Sequence, residues 1–407
     1  MGVHFQQRVL DNGLTVIAER DDEAHSAAAG YFVKTGARDE TPELMGVSHF
    51  LEHMMFKGTD DLSAEQVNQA FDDLGARNNA YTSHEMTCFY AHVLPEKLLD
   101  SVDLLGRMMR PALRTEDFDT EKGVILEEIA MYKDNPFWVL YESVSAAHFR
   151  DHPMGHRVLG TPETIQAMQP DAMAAYFRHR YSADNSVVAL AGRLDFDACC
   201  DAIEARCKAW ERTDAMRDAS RPAVGADNLT LHDEKVTSGY LLLVADGPDA
   251  ADDRRYAATL LAQILGASDN SRLHWALIEE GLAEEAMAAY EPHDGTGEFF
   301  VYASGDPTRL GEIQTVIERE IQGLAASVTE DDLERLRNKV ATGVTVGSER
   351  PADRMQRLGR LWTTLGEYRP LEDELTRINS VTLDDLRSTF EAFPLRPRTL
   401  GTLTPSR

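Results

Sequence analysis

The chain has 407 residues, with 41 Lys and Arg against 69 Asp and Glu, a net charge of −28 and 43% apolar residues. That is globular composition, which excludes intrinsic disorder, and the length suits two or three domains with cores of their own. The acid excess argues against nucleic acid, which needs a basic footprint, and equally against an anionic membrane surface.

The N-terminal MGVHFQQRVLDNGLTVI has no basic start followed by an apolar run, so no secretory signal is expected. Arg8-Val9-Leu10, Asp11-Asn12-Gly13 and Leu14 to Ile17 read as strand, tight turn and strand, and Ala27 to Val33 as a third strand. The period then changes. Leu44, Val47, Phe50, Leu51, Met54 and Met55 recur at helical spacing, with Gly58 as a stop. Ser63-Ala-Glu-Gln66 has capping-box form and opens a helix ending near Gly75. Asn79 to Val93 is β-rich, and helices are expected over about 95–109 and 117–133, the second interrupted by Asp134-Asn-Pro136. Ser186 to Gly192 reads as a strand closing the first half. The cysteines, Cys88, Cys199, Cys200 and Cys207, form no disulfide framework; buried thiols in a reducing compartment are expected. No stretch approaches the ~20 apolar residues of a spanning helix, so the expected location is cytoplasmic.

A polar stretch over 212–228 restarts the pattern, with strands expected at Tyr240 to Ala245 and Phe299 to Ala303 among further helices. The halves echo each other. Thr115-Glu-Asp leads a helix ending at Asp134-Asn-Pro136, and Thr329-Glu-Asp leads one ending at Glu349-Arg-Pro351. The expected fold is α+β: two repeated homologous units, each a mostly antiparallel sheet packed with helices. Their expected bounds are 1–211 and 229–407, with 212–228 as the linker.

The chemistry lies in His49-Phe50-Leu51-Glu52-His53, inside the clearest helical pattern of the chain. On a helix His49 and His53 share a face and can grip one metal ion between them, and Glu52 faces the same side. Neutral imidazole suits Zn²⁺, which lowers the pKa of a bound water to about 7, and a nearby carboxylate can take the proton. This is the H-x-x-E-H arrangement of one class of metallopeptidases. A third protein ligand is needed, and the helix over 117–133 offers Glu121, Glu127 and Glu128. Glu121 and Glu128, two turns apart, share a face, but spacing alone does not choose between Glu127 and Glu128. His152 and His156 have the same i, i+4 spacing, yet Pro153 and Gly155 between them point to a structural loop. His84 is expected as a hydrogen-bonded or surface residue rather than a ligand.

The segments GVSHFLEHMMFKGT, LGARNNAYTSHEMTCFYAHV, EKGVILEEIAMYKDNP and HPMGHRVLGTPETI, in that order, resemble the pitrilysin/insulinase family of zinc peptidases, in its short-chain branch that includes the mitochondrial processing peptidase. The resemblance covers most of 1–200 and is weaker across 225–407. It implies one Zn²⁺ per chain on His49, His53 and Glu128, with Glu52 as the catalytic base and Glu121 as the supporting carboxylate behind the metal ligands; Glu127 is left aside. It also implies that Asn79, Ala80 and Tyr81 lie on an edge strand that pairs with the substrate backbone. The second half departs from this pattern. Gly343 stands where the first copy has Glu128, so that half carries no metal site. The family's Arg and Tyr near a Gly-Leu-Ala-Tyr segment are missing from Leu277 to Glu284, while Arg272 and Tyr290 have the wrong spacing. The resulting expectation is a zinc endopeptidase cleaving peptides or unfolded segments inside a clam-shell chamber, a dimer in which a related non-catalytic subunit supplies the missing pair; the alternative dimer is a homodimer in which Arg272 or Tyr290 does that work. The alternatives are a structural partner subunit of such a complex and a zinc hydrolase of non-peptide amides.

Overall fold

The computed structural model describes residues 2–406. They form two compact units. One comprises 2–129, 156–218 and 346–369, the other 130–155, 219–345 and 370–406. The units are therefore interleaved along the chain rather than consecutive, unlike the 1–211 and 229–407 division expected from the sequence. Each sheet is covered on one face by a helix drawn from the other half of the chain.

The first unit holds a six-stranded sheet of β1 (His4–Val9), β2 (Thr15–Arg20), β3 (Ala27–Val33), β4 (Arg77–Thr82), β5 (Thr87–Val93) and β6 (Ser186–Gly192). The order is β1-β2-β6-β3-β5-β4, antiparallel except for the parallel β2–β6 pair. Every residue of β3 is buried, as a central strand covered on both faces must be. On one face the helices Val47–Met55, Leu98–Met108 and Phe196–Cys207 close the main core around Phe50, Leu51, Phe89, Leu105 and Ile203. On the other lies the helix Pro351–Leu365, with Met355 and Leu358 against Phe32 and Ala189. Gly359 is the point of closest approach: a Cβ there would sit 2.1 Å from Phe32 Cε2. Gly359→Ala is therefore expected to cost about 1–3 kcal/mol or more by overpacking, read as a lower midpoint in thermal unfolding. An unchanged midpoint would count against this tight seat.

The second sheet contains β7 (Asn228–Asp233), β8 (Gly239–Asp246), β9 (Glu285–His293), β10 (Thr296–Gly305) and β11 (Arg398–Pro405). Its order, β7-β11-β8-β10-β9, with β7 and β11 parallel, repeats that of the first sheet without β1. The helix Pro136–Phe149 lies against this sheet, where Leu140 and Val144 meet Gly401. The paired helices read from the sequence are present in both halves. Thr115–Tyr132 is followed by a helix led by Pro136, and Glu330–Val346 by one led by Pro351, since proline fits the first helical position, where its missing N–H goes unneeded. The fold is α+β with two homologous units.

Candidate active site

The helix Val47–Met55 buries Phe50, Leu51, Met54 and Met55 in the main core. Its opposite side carries His49, Glu52 and His53. The two imidazoles lie edge to face, with ring centroids 4.7 Å apart. Glu128, from the helix Thr115–Tyr132, completes the group: its Oε2 is 3.7 Å from His49 Nε2 and 3.5 Å from His53 Nε2. Among the described residues this is the one set of three His, Cys, Asp or Glu whose ligating atoms converge, all within 4.8 Å of one another. Two donors bound to one tetrahedral zinc at ~2.0–2.1 Å stand about 3.3 Å apart. The observed separations are near that value and long for direct hydrogen bonds, so the donor set fits a tetrahedral ion. Glu127, one residue away, is exposed and points elsewhere.

The supporting residues differ for the two histidines. His53 Nδ1 is 3.0 Å from Glu121 Oε2, and Lys57 Nζ is 2.5 Å from Glu121 Oε1. Glu121 is only 3% exposed, so it holds the ring with Nε2 aimed at Glu128, in the manner of carboxylate–histidine–metal arrangements. It touches the imidazole and not the converging atoms, which makes it a positioning residue. His49 is 7% exposed, and its Nδ1 is buried with no hydrogen-bond partner among the described residues. Burial pulls the His49 imidazole down to about 4, helped by its neighbour His53. Burial acts the same way on His53, but the Glu128 and Glu121 carboxylates outweigh it and raise the group. The neighbouring His53 holds Glu128 below the usual carboxylate range.

Glu52 lies beside this group and accepts a hydrogen bond from Thr82 Oγ1 at 2.7 Å. Burial pushes its carboxyl up, which favours proton acceptance near neutral pH. Thr82 ends β4, the edge strand of the first sheet. Ala80 shares its face and packs into the core, whereas Tyr81 points to the other face and donates to Gln356 Oε1 at 3.0 Å. Asn79 is exposed and its Oδ1 accepts from Ala80 N at 2.9 Å. One edge of β4 pairs with β5; the other pairs with no strand among the described residues.

Lys57 was not singled out from the sequence, and Thr82 was read only as the end of the segment Asn79-Ala80-Tyr81-Thr82, not as a partner of Glu52. The signals for them are the i+4 step from His53 and the strand alternation from Ala80. His84, His152 and His156 serve loops, bonding the carbonyls of His156, Ser220 and Ala37 respectively. In the second unit Tyr290 is buried and its hydroxyl donates to the Pro248 carbonyl at 2.7 Å, while Arg272 bonds Ser327. All four cysteines are free and buried.

Comparisons with known proteins bear on the family and the fold. Residues 15–162 match the insulinase (peptidase family M16) domain and 167–340 the M16 inactive domain. An uncharacterized zinc protease of Streptomyces coelicolor is 32% identical over 396 residues, spanning 94% of this chain and 86% of the relative. The uncharacterized zinc protease YmxG of Bacillus subtilis is 29% identical over 99% of this chain and 98% of its own. A protease from Helicobacter pylori shares the fold at a TM-score of 0.91 and 19% identity, covering 99% of this chain and all of that one. Together with the H-x-x-E-H helix and its downstream glutamate, these matches show that the chain belongs to the M16 (insulinase) peptidase family.

Proposed function

We propose that the chain is a zinc-dependent endopeptidase acting on peptides and unfolded segments, with one zinc held by His49, His53 and Glu128. The observation that carries this reading is the convergence of those three side chains beside the raised Glu52 carboxyl. Zinc, when bound, supplies Lewis-acid activation of a water and of the scissile carbonyl. Glu52 accepts the proton of the attacking water and returns it to the leaving amine nitrogen; the Thr82 hydroxyl fixes one of its oxygens for that task. Glu121, steadied by Lys57, keeps His53 in one tautomer. The unpaired edge of β4 over Asn79, Ala80 and Tyr81 receives the substrate backbone as an added strand, which selects extended chains over folded ones.

The reading extends to a partner and a place. The hydroxyl of Tyr290 and the guanidinium of Arg272 are engaged within their own unit, so neither replaces the family's missing Arg and Tyr. A related subunit supplying that pair would make a dimer in which this chain is the catalytic member, working in the cytoplasm. No helix among the described residues is long and apolar enough to cross a membrane. The test is hydrolysis of an unfolded reporter by the purified chain, alone and mixed with a related subunit. Activity should vanish with a chelator, return with Zn²⁺ and rise sharply on mixing. Full activity of the isolated chain, unchanged on mixing, overturns the partnership. No chelator-sensitive hydrolysis in either case leaves a non-catalytic partner subunit as the better reading.

A further inference from the structure

The two zinc-binding histidines are aimed by different means. Glu121 holds His53, but no side chain among the described residues bonds His49 Nδ1. The direction of His49 must therefore come from the backbone of the first helical turn and from packing. That turn is anchored unusually deeply. Glu40, 4% exposed, accepts from Gly46 N and Ser48 N at 2.7 Å each, one oxygen per amide, satisfying donors that a helix N-terminus leaves unpaired. Ser48 Oγ then meets Tyr176 OH at 2.9 Å, and Tyr176 OH meets Thr35 Oγ1 at 2.7 Å. Thr35 Oγ1 accepts from Arg180 Nε at 3.3 Å. Arg180 pairs with Asp39 at 2.6 Å and donates to the Met216 carbonyl at 3.0 Å. Asp39 also accepts both arms of Arg217, at 3.0 and 2.6 Å. Arg38 joins Glu85 at 2.6 Å and the Asp218 carbonyl at 3.0 Å. The side chains of Asp39, Arg180 and Arg217 are each at most 5% exposed.

We propose that residues 216–218, at the polar connection between the chain's halves, form an arm that locks the metal helix in place through this buried polar chain, making Arg217, Tyr176 and Glu40 positioning residues for His49. The inference rests on the metal-centre reading. A bidentate guanidinium–carboxylate pair fixes geometry as well as charge, so Arg217 clamps Asp39 in one orientation. Asp39 is adjacent to Glu40, and Arg180 carries the same restraint through Thr35 and Tyr176 to Ser48, the residue before His49. Freed from the arm, the first turn would keep its helical bonds but sample more orientations. His49 would then spend less time where Glu128 and His53 converge.

The test uses the full chain and reads zinc affinity by chelator competition, together with amide exchange of residues 46–49 in the metal-free protein. Tyr176→Phe removes one hydroxyl and keeps the ring, so folding is retained. It should weaken zinc binding several-fold and speed exchange at Ser48 and His49. Arg217→Lys, which keeps the charge but loses the fork, should weaken zinc about tenfold, the lower end of the ~10–100-fold range for losing a partner behind a metal ligand. A core variant that takes no part in this polar network, Ile203→Val, controls for a general loss of stability and should leave zinc affinity unchanged. Unaltered zinc affinity in Tyr176→Phe and Arg217→Lys, or equal weakening in Ile203→Val, overturns the inference. Because metal binding is read without peptide hydrolysis, that result leaves the peptidase reading standing. A parent chain that binds no zinc removes both.

Discussion

Glu52→Gln is expected to leave about one zinc per chain in place and to lower peptide hydrolysis by ~10²-fold or more, the usual scale for losing a general base. The substitution is nearly isosteric. The glutamine carbonyl oxygen can still accept the Thr82 hydroxyl that now bonds Glu52 at 2.7 Å, so the helix and edge strand stay joined. The amide cannot accept a proton and carries no charge, so the base is lost while the side-chain shape is kept. Glu52 lies outside the converging set of His49, His53 and Glu128, so metal content should not follow activity. Zinc analysis and single-turnover hydrolysis on the same preparation separate the two. Retained turnover would remove Glu52 from the proton transfer, and lost zinc would make it part of the metal set.

Much of the first unit was legible because its periods are local. The bounds of β3 and β6 follow from continuous apolar runs between turn signals, and the Ser63 capping box is present with both of its reciprocal bonds. The second unit was harder to read. β9 begins Glu-Ala-Met-Ala-Ala, residues that favour helix, and it is a strand because β10 pairs with all nine of its residues. The interleaving of the units was hidden for a similar reason. Helices Pro136–Phe149 and Pro351–Leu365 carry ordinary apolar faces, and nothing local in them says which sheet each will cover. In the site, H-x-x-E-H was visible as a pattern, whereas the convergence of Glu128 on the two histidines is visible only in the structure and was otherwise implied by the family resemblance. The buried carboxylate Asp39, its partners Arg180 and Arg217, and the neighbouring Glu40 were not read at all, since a charged residue in sequence looks like surface until its partners, for Asp39 over a hundred residues away, are placed beside it.

The choice between neighbouring glutamates gives the second large effect. Glu128→Gln should lose more zinc affinity than the ~10–100-fold that removal of an outer-shell partner costs, and hydrolysis should fall with it. The physical reason is that its carboxylate is the one anionic donor among the three, and an amide oxygen is a far weaker one for a divalent ion. Its Oε2 already stands 3.5 and 3.7 Å from the two imidazole nitrogens, so no rearrangement is needed to bind. Glu127→Gln changes an exposed side chain turned about 100° away around the same helix, and it should leave zinc and turnover near the parent values. Each variant removes one carboxylate from the same helix, so the net charge and the helix change equally in the two. Any difference between them therefore reports on ligation, and helix stability or net charge cannot produce it. Equal loss from both, measured as zinc retained after dialysis against a buffered chelator, would mean that Glu128 is not the third ligand.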